Sequence, residues 1–167
     1  MNVKWDDDLQ PGQLENPVIY TETLDLPDIV KTPSSDELAL VFPKPNHSLK
    51  TWGRSGKLDD DPHWIAVQKQ TPLHRDPRYP KYTHHILLRV DNFVLRGITK
   101  VPEISLSRGT YLVLDGHSPH QLFSKSKDAK FYIACSMDSN QIFDKSYAIE
   151  RLIEYASTAP FITDDLK

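Results

Sequence analysis

From Trp64 onward the apolar residues of this chain arrive in short runs, each closed by turn-forming residues, and that punctuation constrains the fold more than any other feature. Trp64-Ile65-Ala66-Val67, Ile86-Leu87-Leu88, Phe93-Val94-Leu95, Tyr111-Leu112-Val113-Leu114 and Phe131-Tyr132-Ile133-Ala134 are too short for helices and rich in β-branched and aromatic residues. Strands of this length at such spacing build a sandwich or a barrel. Upstream, Pro17-Val18-Ile19-Tyr20 and Leu38-Ala39-Leu40-Val41-Phe42 read as further brief strands within residues 1–62, a Pro-, Asp- and Ser-rich stretch of flanking strands and loops. The polar segment from Trp52 to Pro62 reads as a loop. Near the end Ala148, Ile149, Leu152, Ile153 and Ala156 recur at helical spacing, which predicts an amphipathic helix over 144–157, capped by Asp144 or Ser146.

A chain of 167 residues is long enough to bury a core without staples, so 1–167 is expected to be one domain. The single cysteine, Cys135, lies inside an apolar run; it cannot form an internal disulfide and reads as a buried thiol in a reducing compartment. The opening Met1-Asn2-Val3-Lys4-Trp5-Asp6-Asp7-Asp8 does not resemble a secretory signal, which points to the cytoplasm. No apolar run approaches the roughly 20 residues that span a bilayer, so no membrane is expected as a partner. A net charge of −3 gives nucleic-acid binding no support, although a local basic strip would not be excluded by it.

Four of the seven histidines, His74, His85, His117 and His120, fall where the strand pattern is clearest. In an extended segment, side chains two apart share a face, so His74 and Asp76 of His74-Arg75-Asp76 can grip one ion together. A second histidine from a distant strand would complete a set of two imidazoles and one carboxylate, which leaves three positions of an octahedron open. His117 and His120, 43 and 46 residues beyond His74, both lie in Gly109-Thr110-Tyr111-Leu112-Val113-Leu114-Asp115-Gly116-His117-Ser118-Pro119-His120-Gln121-Leu122.

The order His-x-Asp, then a Gly-headed strand, a bend and His-x-Leu, over roughly residues 64–136, resembles the dioxygenases dependent on Fe(II) and 2-oxoglutarate. The resemblance implies a mainly β fold, a double-stranded β-helix of the jelly-roll or cupin-like kind, with a few flanking helices and one near the C-terminus. It also implies iron held by His74, Asp76 and His120, since His120-Gln121-Leu122 fits the family pattern better than His117-Ser118-Pro119; His117 stands in reserve. Prolyl-hydroxylase-like members place a basic residue ten positions after the distal histidine, here Lys130. Members like the JmjC and asparaginyl-hydroxylase branch place it about fifteen after the first histidine, here Arg89. Either would pair the far carboxylate of 2-oxoglutarate, because a partly desolvated carboxylate is costly unless paired. The activity so implied is a hydroxylase that consumes molecular oxygen and couples 2-oxoglutarate decarboxylation to oxidation of a substrate.

Other readings stand beside this one. Asp115, His117 and His120 are close enough in sequence to form the different ligand set of a cupin-like metalloprotein, and the same fold can serve as a binding module without metal. Substrate contacts are expected from 43–63, from 77–83 and from the C-terminal helix. The stretch from Arg75 to Thr83 combines three basic residues with two tyrosines. A small molecule, a protein side chain and a nucleotide base all remain open as substrate, as does the oligomeric state. His84 and His85, being adjacent, face opposite ways in a strand and read as satisfied polar positions. His47 and His63 read as exposed, Lys69 as solvated, and Trp5, Trp52 and Trp64 as packing residues.

Overall fold

The computed structural model describes residues 17–43, 49–53, 61–97, 103–124 and 131–163. Nine strands and two helices lie among them: β1 (Val18–Thr23), α1 (Ser35–Val41), β2 (Leu49–Trp52), β3 (His63–Val67), β4 (Tyr82–Val90), β5 (Phe93–Arg96), β6 (Ile104–Ser105), β7 (Thr110–Asp115), β8 (Gln121–Ser124), β9 (Tyr132–Ser139) and α2 (Lys145–Thr158). The strands form a six-stranded sheet in the order β1-β7-β4-β9-β3-β2 and a three-stranded sheet in the order β6-β5-β8. Every pairing is antiparallel. From β4 to β9 the chain passes back and forth between the two sheets, the arrangement of a jelly roll.

Side-chain alternation divides the large sheet into two faces. Trp64, Ala66, Ile86, Leu88, Tyr111, Val113, Ile133, Cys135 and Met137 point to one face, where Leu38, Val41 and Phe42 and then Ala148 and Leu152 of α2 close a core. The alternate residues Val67, Leu87, Tyr132, Ala134, Leu112 and Leu114 point to the other face and meet Phe93, Leu95 and Leu122 of the small sheet. Since β4, β7 and β9 are covered on both sides, their sequences read as continuous apolar runs. The expectation of a mainly β barrel with a C-terminal helix is met, and Asp144 is the cap, its side chain accepting from the Tyr147 amide at 3.2 Å.

One expected strand is a helix. Leu38-Ala39-Leu40-Val41 lies in α1, because Ser34 and Glu37 form a reciprocal capping box. The Glu37 amide donates to Ser34 Oγ at 3.1 Å and the Ser34 amide to Glu37 Oε1 at 3.0 Å. Leu38 and Val41, one turn apart, then fall on the buried side, while Ala39 and Leu40 are exposed.

Two further expectations change. His63 is buried, not exposed: β3 begins one residue before Trp64 and carries His63 onto the same face as Ile65 and Val67. Arg89 should share the inner face with His85 and Leu87 by alternation, yet the register of β4 against β9 shifts between Leu87 and Arg89. The extra residue turns Arg89 toward the outer face, where it pairs with Asp91 at 3.1 Å, donates to the Pro33 carbonyl and lies 5.3 Å from the Phe131 ring centre. Lys130, His47 and Trp5 lie outside the described residues, as does 54–60 of the expected loop.

Candidate metal centre

The segment 71–76 runs past 116–122, the bend after β7 and the start of β8. The His74 amide donates to the His120 carbonyl at 3.0 Å, and the His120 amide to the His74 carbonyl at 2.8 Å. The Thr71 amide donates to Leu122 O, and the Asp76 amide to Gly116 O at 2.7 Å. This short ladder brings a residue from each segment to the same spot and aligns their side chains on one face. Asp76, two residues after His74, joins them there.

Potential ligand atoms of His74, Asp76 and His120 all lie within 4.8 Å of one another, making a group that could hold a metal ion. His74 Nε2 is 3.6 Å from Asp76 Oδ1 and His120 Nε2 is 3.2 Å from Asp76 Oδ2. The opposite ring nitrogens settle the tautomers. His74 Nδ1 is 2.6 Å from the Pro72 carbonyl, and His120 Nδ1 is 2.8 Å from the Ser118 carbonyl. A carbonyl only accepts, so each Nδ1 carries a proton and each Nε2 can turn its lone pair toward the shared space. Two imidazole nitrogens and one carboxylate oxygen suit a divalent first-row metal with open positions, so the donor set fits iron.

Electrostatics agree with that chemistry. Burial, and after it the nearby His120 ring, hold the His74 pKa below its usual value, which favours the neutral ligand form. Burial of Asp76 pushes its carboxyl up, but with no metal between them the hydrogen bond and charge of a protonated His120, and the charges of His74 and His117, outweigh it, and the net shift is downward. The ionised carboxylate is favoured as a result.

His117, the reserve ligand, is not part of this group. Its Nε2 donates to the Tyr79 carbonyl at 2.8 Å, and its amide donates to Asp115 Oδ1 at 3.0 Å. Those bonds fix the bend after β7 instead, so the alternative set of Asp115, His117 and His120 is not brought together.

The three candidate ligands border a cavity of about 720 Å³ between the sheets, a size suited to a small molecule or an inserted side chain. Its wall is largely apolar, with Ile65, Val67, Leu95, Leu112, Leu114 and Leu122 prominent. Tyr79 and Pro80 of the expected contact loop reach it, as do Leu49 and Gly53 at the β2 edge. Arg89 does not. Lys50 touches the rim, but it pairs in register with Ala66, whose side chain belongs to the outer core.

Sequence reasoning missed a second polar group on the cavity floor. His63, His85 and Ser136 are cross-strand neighbours on β3, β4 and β9, and Asp138 follows Ser136 on the same face. His85 Nδ1 lies 2.5 Å from Ser136 Oγ, and burial drives the His85 pKa down to about 3, so the ring is neutral. His84, facing the other way, accepts from the Phe143 amide at 3.2 Å. Of the two adjacent histidines only His85 lines the cavity, as their spacing requires.

No protein-family model matches this chain, and no curated protein matches it. Matches among solved structures include the plu4264 protein of Photorhabdus luminescens, 12% identical, with 64% of this chain and 82% of that chain covered and a TM-score of 0.37. They also include a cupin 2 domain-containing protein of Halorhodospira halophila, 14% identical, with 81% of this chain and 90% of that chain covered and a TM-score of 0.41.

Proposed function

We propose that this protein is a mononuclear non-haem iron oxygenase that uses 2-oxoglutarate, with His74, Asp76 and His120 as the metal ligands. The observation that carries the reading is the convergence of two Nδ1-protonated histidines and one carboxylate, all ligand atoms within 4.8 Å, at the wall of a largely apolar cavity. Bound there, a ferrous ion with 2-oxoglutarate and oxygen would supply the oxidising power for substrate hydroxylation. The chain's own part is positional. The Pro72 and Ser118 carbonyls hold the imidazoles in their ligating tautomers, the His74–His120 ladder fixes their separation, and the leucine-lined wall gives the open face an apolar surround. Lys130 would pair the far carboxylate of the co-substrate.

A second reading, a cupin-like metalloprotein that works without 2-oxoglutarate, is favoured by one observation. Among the described residues, the cavity wall contains no arginine, and its lysine, Lys50, stands at the rim. Anaerobic titration with Fe(II) and then 2-oxoglutarate separates the two. The visible charge-transfer band of a chelated ferrous complex is expected in wild type and absent from His74→Ala, Asp76→Ala and His120→Ala. Iron uptake without that band would support the second reading.

A further inference from the structure

The metal centre leaves the floor of the cavity unexplained. On a largely apolar wall, His85 is 6% exposed and borders the cavity, with His63 and Asp138 as its polar neighbours there. Its Nδ1 is hydrogen-bonded to the fully buried Ser136 hydroxyl. Ser136 Oγ has no other hydrogen-bond partner among the described residues, so the hydroxyl proton has one place to go, His85 Nδ1, since a buried donor left unsatisfied is costly. With Nδ1 accepting, a neutral imidazole carries its proton on Nε2. That N–H has no acceptor among the described residues, and the cavity is the space left to it. His85 and the three candidate metal ligands line the same cavity, so a molecule bound at the centre shares that space with the donor.

We propose that His85, oriented by Ser136, donates a hydrogen bond from Nε2 to an oxygen at the chelating end of the 2-oxo acid bound at the His74–Asp76–His120 centre. This rests on the functional reading above and adds to it a binding residue that is uncharged and set by a neighbouring strand. A fixed neutral donor on a largely apolar wall gives orientation: a bound acid that turned an apolar group toward it would leave the Nε2 proton buried and unpaired.

The test uses Co(II) as a spectroscopic stand-in for iron and two probe acids. 2-Oxoglutarate and 2-oxobutyrate share the 2-oxo carboxylate, and 2-oxobutyrate lacks the far carboxylate. His85→Phe is expected to bind cobalt as wild type does and to bind both acids roughly tenfold more weakly, a loss of one hydrogen bond. His85→Gln, which keeps a donor at similar reach, should recover most of that loss, and Ser136→Ala, which leaves the ring but frees it, should fall between. If His85→Phe does not fold, Ser136→Ala and His85→Gln carry the comparison. Acid affinities within about twofold of wild type in His85→Phe and Ser136→Ala would overturn the proposal, as would a loss confined to 2-oxoglutarate, which would place the contact at the other end. Wild type that binds cobalt but neither acid would overturn the 2-oxo-acid reading itself, and this inference with it. The wild-type arm therefore tells the two failures apart.

Discussion

His74 and His120 are joined by a two-way main-chain bridge, His74 N to His120 O at 3.0 Å and His120 N to His74 O at 2.8 Å, although 46 residues separate them. The bridge belongs to the backbone and survives any side-chain change except proline. His74→Ala and His120→Ala are therefore expected to keep the fold while losing the metal. In wild type, a metal supplied at about 100 times its dissociation constant raises stability by about 2.7 kcal/mol. Neither alanine variant should show that gain when thermal melts are compared with and without Co(II).

His117 provides the contrast. It is three residues from His120, but its Nε2 is engaged by the Tyr79 carbonyl. His117→Ala should leave cobalt affinity within about threefold of wild type, since no ligand atom is removed, and should cost at most about 1 kcal/mol of stability through the lost hydrogen bond. Loss of metal binding in this variant, measured by the same titration, would assign the third ligand wrongly.

The two kinds of information in the sequence had different reach. Short apolar runs around Ile86, Val113 and Ile133 disclose strands because β4, β7 and β9 are buried on both faces. His-x-Asp discloses two of the three candidate ligands because period-two alternation is a local property. What depended on register was not legible. Arg89 lies on the wrong face because of an irregularity between Leu87 and Arg89 that no composition signals. His63 was hidden by the acidic turn text before it, and Ser136 meets His85 only through the pairing of β4 with β9. The helix at Leu38 to Val41 does carry a local signal: Ser34 and Glu37 stand at capping-box spacing.

Burial of the histidines makes stability depend on pH with a definite sign. His85 is shifted from 6.5 down to about 3, chiefly by burial and further by the His63, His84 and His120 charges, and burial lowers His84 as well. Between those values the unfolded chain takes up a proton that the folded His85 refuses. Its contribution is thus complete above about pH 6.5 and is lost as pH falls toward about 3, with a limiting slope of about 1.4 kcal/mol per pH unit for each such group. Urea melts at about pH 7 and about pH 5 should show a smaller stability drop for the double variant His85→Phe, Ser136→Ala than for wild type. An equal drop in both would mean that other groups set the acid limit.

Cys135 is fully buried on the outer face of β9, its Sγ 3.5 Å from the Leu152 carbonyl, and burial pushes its thiol pKa far up. The thiolate is the reactive form, so the native protein should not react with a thiol-specific disulfide reagent on the scale of minutes. Reaction should become complete in denaturant. A fast native reaction would show that α2, which supplies Leu152, opens from the sheet without global unfolding.

Gly109 lies where three segments cross: its amide donates to Leu87 O and its carbonyl accepts from the Leu24 amide, both at 2.8 Å. Its φ is +91°, a conformation that side-chain-bearing residues rarely adopt, and a Cβ placed there would lie 2.7 Å from the Leu24 carbonyl oxygen. That oxygen is main chain and cannot rotate away, so Gly109→Ala must either move the segment after β1 or break the contact with β4. Backbone strain of about 1 kcal/mol combined with the displaced segment should bring the total cost to about 2–4 kcal/mol. Because β7 follows Gly109 directly and leads through the bend to His120, the same change should weaken cobalt binding. A variant with wild-type stability in urea would mean that the crossing is looser than these distances require.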